Sequence, residues 1–193
     1  DITDLARPEV AAQLDSDGDG MGEIWVGKPG WIATNENSIK VRDYGLLAFS
    51  KETRHDAAVH YGNLSAAVKR KAGYAGYCWK PDGVWKQYDV VQLKEPPYDP
   101  SCHKQLRQQD DPDWFKKSKI TCASAPKAVH IVWSKTLEKR LPIVTSFLGN
   151  VKLDTDTVSQ WAYEVGSLKK KPADVAAAWI KTNEARVKGW LGL

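Results

Sequence analysis

Long apolar runs are missing from this chain, and soft packing side chains are scarce. One Met and three Phe serve 193 residues. No stretch approaches the roughly 20 apolar residues that a membrane-spanning helix needs. A dominant charge sign is also missing. Lys+Arg number 28 and Asp+Glu 24, a net charge of +4, without the concentrated basic face of a nucleic-acid binder. There is no internal repeat, and no biased tract beyond Lys169-Lys170-Lys171, which reads as a solvated connection. Catalytic signatures are absent too: no Gly-x-Ser-x-Gly, no His-Glu-x-x-His, no P-loop and no Cys-x-x-Cys. The four His (55, 60, 103 and 130) are scattered and read as structural or solvated. An enzyme is therefore the weaker class. The chain starts at Asp1 without an initiator Met or a basic-then-apolar leader, which reads as a mature or trimmed product.

What is abundant is tryptophan. Nine Trp against three Phe exceed what a core needs, because each brings an N–H to satisfy. Part of that excess points to a surface that recognises its ligand by aromatic faces. Cysteine adds a second hint. Cys102 and Cys122 bracket a polar, Pro- and Asp-rich stretch that cannot bury itself. A bridge between them would close a loop of about 20 residues, worth roughly 3 kcal/mol in the chain-entropy model, and would imply an oxidising compartment. The alternative is three free thiols in the cytosol. Cys78, in the apolar run Ala75–Trp79, reads as buried and inert.

The pattern along the chain predicts an α/β arrangement. Helices are expected over Asp4–Leu14, Thr34–Tyr44 (capped by Thr34) and Leu64–Ala72 (capped by Asn63). Strands are expected over Ile24–Val26, Leu46–Phe49, Ala75–Trp79 and Asp89–Leu93, with a turn or short helix over Pro81–Lys86. A long loop, Glu95–Ala125, interrupts the alternation. After a last strand, Ala128–Trp133, the chain reads as helical: Lys135–Leu148, Thr155–Val165 capped by Asp154, Ala173–Thr182, and final turns with Trp190 and Leu191. These C-terminal helices have no later strand to cover. Trp161, Trp179 and Trp190 sit at helical spacing and read as packing, Trp25 and Trp133 as strand core; Trp114 has no assigned place.

Several motifs, in order, carry a resemblance. Gly-x-Pro-Gly-Trp31, a helix, a Gly-Tyr-Cys-Trp79-x-Pro strand end, Gln92-Leu93-Lys94-Glu95-Pro96, and a late Pro-Ala-Asp-Val-Ala-Ala-Ala-Trp-Ile-Lys-x-Asn resemble the substrate-binding proteins of ABC importers for glycine betaine, proline betaine and choline. The resemblance runs from about Ile2 to the end. It implies a periplasmic-binding-protein type II-like α/β lobe with a helical C-terminal return segment and an incomplete first lobe. On that frame residues 1–23 are the end of lobe one and a crossing, 24–127 are lobe two, and 128–193 return to lobe one. Ligand would bridge two lobes, whose closure would present a surface to the membrane permease. By position, Trp31 and Trp79 match cage walls, Ile32 and Ala33 supply amides for a carboxylate, and Trp85 is a weaker third wall.

The chemistry of those residues stands apart from the family. A quaternary ammonium has no N–H to offer an acceptor. It is a diffuse cation that a Trp face attracts through its quadrupole, about 0.5–2 kcal/mol per face. A betaine carboxylate needs N–H donors, which a helix N-terminus supplies.

A separate feature is Asp15-x-Asp17-x-Asp19-Gly20, the spacing of a calcium loop, with the Met21 carbonyl and Glu23 as further donors. Position twelve is Val26, so this is no EF-hand; it reads as a structural Ca2+ site or as a solvated acidic turn.

The sequence reading is an extracytoplasmic (periplasmic or extracellular) solute-binding protein, not an enzyme, for a betaine-like or trimethylammonium solute such as glycine betaine, choline or trimethylamine N-oxide. A membrane permease is its partner, nucleic acid is not, and self-association would cover exposed helices. The alternatives are a Trp-rich, calcium-stabilised carbohydrate-binding module, which would be mainly β, and an enzyme using Glu23 or Asp82 as acid/base.

Overall fold

The computed structural model describes all 193 residues. In chain order the elements are α1 (Pro8–Ala11), β1 (Gly22–Gly27), α2 (Ile32–Asp43), β2 (Ser50–Arg54), α3 (Ala57–Arg70), β3 (Ala75–Gly76), α4 (Val84–Gln87), β4 (His103–Lys104), α5 (Trp114–Lys117), β5 (Lys119–Ile120), α6 (Lys135–Arg140), α7 (Pro142–Asn150), α8 (Thr155–Gly166), α9 (Pro172–Thr182) and α10 (Glu184–Leu191). They form two compact units. The first holds Asp1–Tyr77 and Gln92–Pro126, the second Cys78–Val91 and Lys127–Leu193. Residues 1–23 thus share a unit with most of 24–127, and Cys78–Val91 goes with the C-terminal helices.

The first unit is built on a parallel sheet in the order β2-β1-β3, with Ile24 opposite Glu52 on one side and Ala75 on the other. The central strand is buried almost throughout, which is why Ile24-Trp25-Val26 is continuously apolar. Ile24 and Val26 pack with Leu5, Leu14, Val41 and Leu46 to make the core. Edge strand β2 (Ser-Lys-Glu-Thr-Arg) is polar and follows the apolar Leu46–Phe49, where the hydropathy predicts the strand. Leu46–Ala48 is instead a 3-10 turn after Gly45, whose φ is +72°. In β2, side-chain pairs replace apolar burial: Glu52 accepts from Ser38 at 2.9 Å and from Arg54 at 2.7 Å.

Other elements shift for identifiable reasons. The expected helix Asp4–Leu14 is broken at Arg7, which is extended before Pro8 as residues preceding proline tend to be. α3 begins at Ala57 after Asp56, seven residues before the expected start; Gly62 inside it does not end it. Pro142 divides the expected helix Lys135–Leu148 into α6 and α7, with Leu141 at φ −140° between them. Asp89–Leu93 and Ala128–Trp133 form no strand, and the expected strand Ala75–Trp79 is reduced to its first two residues. Their β-branched composition favours extension, but a strand also needs a paired neighbour, and none of these stretches has one there.

The excursion Gln92–Pro126 closes on itself through the antiparallel pair β4–β5 and the Cys102–Cys122 disulfide, with Cα atoms 5.9 Å apart. It lies on the polar face of α2. Lys40 Nζ is 2.7 Å from Glu95 Oε2, and the Tyr44 hydroxyl donates to the same oxygen at 3.1 Å. Arg42 donates to the carbonyl of Ser118 at 2.6 Å and to that of Phe115, while Asp43 accepts from the Ile120 amide at 2.7 Å.

In the second unit, α4 sits on α8. A Cβ on Gly83 would lie 2.8 Å from the Tyr163 nitrogen, so only glycine permits this approach. Lys86 pairs with Asp156. Asp154 caps α8 by accepting from the Thr157 amide at 2.7 Å. Val84 and Val175 are buried in this unit, and a half-buried aromatic cluster adds to them: Trp161 meets Trp179 edge-on at 5.2 Å, and Trp179 stacks on Trp190 at 5.7 Å.

Candidate functional site

Trp31 stands at the junction of β1 and α2. The intervening turn is held tightly. Gly27 has φ +128°, and a Cβ there would fall 2.4 Å from Thr34 Oγ1. The Thr34 hydroxyl donates to the Lys28 carbonyl at 2.6 Å and the Trp31 amide to the same carbonyl at 3.2 Å. Thr34 is therefore a clasp on the turn and not the N-cap, a place taken by Trp31 with extended backbone. Ile32 and Ala33 become the first two helical residues, whose amides have no intrahelical acceptor. They lie at the positive end of a 12-residue helix.

The Trp31 side chain is 39% exposed. Its inner edge is fixed by Trp25, which it meets at 6.2 Å and 74°. Trp25 is itself buried, stacked on His60 at 3.7 Å, and donates from Nε1 to the His55 carbonyl at 3.1 Å. His60 is linked to the Tyr74 hydroxyl at 2.8 Å, and burial pushes the Tyr74 phenol up to about 12. The sequence reading missed this support. His60 lies mid-helix, 35 residues from Trp25, and no local pattern announces that contact.

Trp79 and Trp85 belong to the second unit and are brought together there. Trp79 is 40% exposed. Trp85 Nε1 donates to its carbonyl at 2.8 Å. The Lys80 ammonium lies 3.9 Å from the centre of the Trp85 ring. Cys78, beside them, has its thiol pushed up to about 12, first by burial and then by the Asp82 charge, which makes it a poor nucleophile. Trp31, Ile32 and Ala33 thus form one group on the first unit, and Trp79 and Trp85 another on the second. An apolar groove of about 390 Å³, lined by Pro142, Ile143, Ser146, Phe147, Trp190 and Leu191, contains none of them.

The acidic loop does bring its carboxylates together: donor atoms of Asp15, Asp17, Asp19 and Glu23 lie within 4.8 Å of one another. Loop amides occupy part of each. Asp15 accepts from Gly18 and Gly20, Asp17 from Asp19, Asp19 from Met21, and Glu23 from Ser16. The remaining oxygens, Asp17 Oδ2, Asp19 Oδ2 and Glu23 Oε1, converge on Lys51 Nζ at 2.7, 2.6 and 3.2 Å. Hydrogen bonding from Lys51 holds Asp17 below the usual carboxylate range. The donor set suits a hard cation, and in this structure a lysine ammonium stands where such an ion would sit. Met21 contributes its amide to the loop. His103, for its part, lies 3.3 Å from Glu36.

The parallel sheet flanked by helices, with a helical C-terminal segment, is the architecture of a type II-like periplasmic binding protein. Two solved structures share it. Lactococcal OpuAC, in a closed-liganded conformation with glycine betaine, matches with TM-score 0.57 and 19% identity over 88% of this chain. An ABC-transporter choline-binding protein in complex with choline matches with TM-score 0.56 and 16% identity over 100% of it. The chain spans 57% of the length of each. Residues 1–182 match the OpuAC family model, the substrate-binding domain of ABC-type glycine betaine transport systems, and the chain belongs to that family. No curated protein matches it. The helical elements and parallel sheet do not fit the mainly β carbohydrate-binding module.

Proposed function

We propose that this protein is the solute-binding component of an ABC importer, acting outside the cytoplasmic membrane, and that it binds a betaine-like or trimethylammonium solute without chemistry. The observation that carries this is the composition of three consecutive residues. Trp31 offers an exposed, rigidly backed aromatic face, and Ile32 and Ala33 offer helix-terminal amides. A zwitterion with a quaternary ammonium at one end and a carboxylate at the other needs both. On the second unit, Trp79 offers an exposed face and Trp85 a half-buried one. The partner is a membrane permease. No helix of the chain is long and apolar enough to cross a membrane.

Calorimetric titration with glycine betaine, choline and trimethylamine N-oxide tests the reading. Trp31→Ala and Trp79→Ala are each expected to weaken binding roughly 2- to 30-fold, the worth of one cation–π face. A wild-type protein that takes up none of the three, or two variants that bind normally, would overturn it.

The acidic loop supports a second, structural proposal: Asp15, Asp17, Asp19 and Glu23, with the Met21 carbonyl, hold Ca2+ when Lys51 is displaced.

A further inference from the structure

The aromatic pair of the second unit already carries a cation. Lys80 separates Trp79 from the Pro81 turn, and its ammonium sits 3.9 Å from the Trp85 ring centre. The ring cannot simply turn away, because its Nε1 is committed to the Trp79 carbonyl at 2.8 Å. A Trp face held in place with a positive charge against it is the arrangement a trimethylammonium ligand requires, here satisfied by the chain itself.

We propose that Lys80 is a tethered competitor for the Trp85 face, setting both the affinity and the cation selectivity of this aromatic site. The proposal deepens the functional reading above and rests on it. Its physical basis is a difference between the two cations. A primary ammonium is compact and strongly hydrated and keeps much of its hydration while resting on a ring. A trimethylammonium group has no N–H and gains more by leaving water for an aromatic surface. Because Lys80 is attached, its contact with the ring does not dilute away, and a ligand that takes this face must first displace it. Small hydrated cations gain too little to displace it, whereas a quaternary ammonium with additional contacts does. Lys80 therefore acts as a threshold and not as a permanent block.

The test uses the full chain, glycine betaine and tetramethylammonium as probes, and three forms of the protein. Lys80→Met removes the competing charge and is expected to tighten binding roughly two- to fivefold, the worth of one exposed cation–π contact. Lys80→Arg places a flatter, better-stacking cation on the ring and is expected to bind no tighter than wild type. In parallel, the ε-methylene protons of Lys80 are followed by NMR. They should be shifted upfield by the ring current, lose that shift in Trp85→Leu, and return toward solvent values as betaine is added to wild type. If betaine binds wild type but Lys80→Met binds no better, or the Lys80 signals do not move at saturation, the competitor role is overturned while the betaine reading survives. If the gain in Lys80→Met disappears in 0.5 M NaCl, it came from long-range charge and the role is likewise overturned. If neither wild type nor Lys80→Met gives heat and no Lys80 signal moves, both readings fall together.

Discussion

Lys51 and Lys80 each rest an ammonium on groups that can also take a cation, carboxylates for Lys51 and the Trp85 ring for Lys80. Lys51 fills the acidic loop with its ammonium 2.6–3.2 Å from three carboxylates. A calcium ion there has to displace a bound ammonium before it is coordinated, which raises the ion concentration needed. Lys51→Met removes the competitor and keeps the stem. Thermal melts of that variant should respond to Ca2+ and to chelator more strongly than wild type. If neither form responds, the loop is a salt-bridged turn with Lys51 as its permanent counter-ion. The spacing of Asp15, Asp17 and Asp19 made their convergence legible in the sequence. Lys51 was not legible, because it reaches the loop across the sheet: Lys51 pairs in register with Glu23, a relation that only strand pairing creates. The place of Trp31 at the start of α2 follows from the Gly-Lys-Pro-Gly turn before it, whereas its backing by Trp25 and His60 has no local signal.

At the scale of elements, α2 is unusual in burying charge. Glu36 and Lys40 are buried, and both meet the excursion Gln92–Pro126: Glu36 through His103 and Ser124, Lys40 through Glu95 and Ser124. An apolar face would announce this contact in the sequence; a charged face does not. Lys40 depends on Glu95, so Glu95→Gln leaves an ammonium without its counter-charge. A loss of about 3 kcal/mol is expected, the low end for a broken buried pair because Glu95 retains some water. The double variant Lys40→Met/Glu95→Gln should recover most of it, and urea unfolding of the three forms measures the difference. The disulfide closes the excursion itself. Replacing Cys102 and Cys122 by Ser should lower stability by roughly 3 kcal/mol, the entropy of a closed loop of about 20 residues. Strands are least legible, for the opposite reason. Asp89–Leu93 and Ala128–Trp133 have the β-branched composition of strands, but pairing is a property of the neighbour, which local composition does not contain. The helices α8 and α9 were legible because Asp154 and Pro172 mark their starts and their apolar spacing persists.

At the scale of the whole molecule, the sequence resemblance placed the chain in its family, and the match over residues 1–182 shows that placement. How the chain is apportioned between units was harder to read. The helical tail suggested a division near residue 128, but the second unit also takes Cys78–Val91, because α4 packs on α8 through Gly83 and pairs Lys86 with Asp156. That docking needs a glycine and an ion pair, neither of which carries a hydropathy signal. It also separates the stabilising devices. The disulfide, the acidic loop and the Lys40–Glu95 pair all belong to the first unit, whereas the second is held by aromatic and helix-cap contacts. Reduction of the disulfide should therefore act locally. Hydrogen exchange on the reduced protein is expected to accelerate in Gln92–Pro126 and along α2, while amides of α8 and α9 keep their protection. Uniform acceleration through α8 and α9 would mean instead that the two units unfold as one cooperative body, and that the excursion braces the whole chain and not α2 alone.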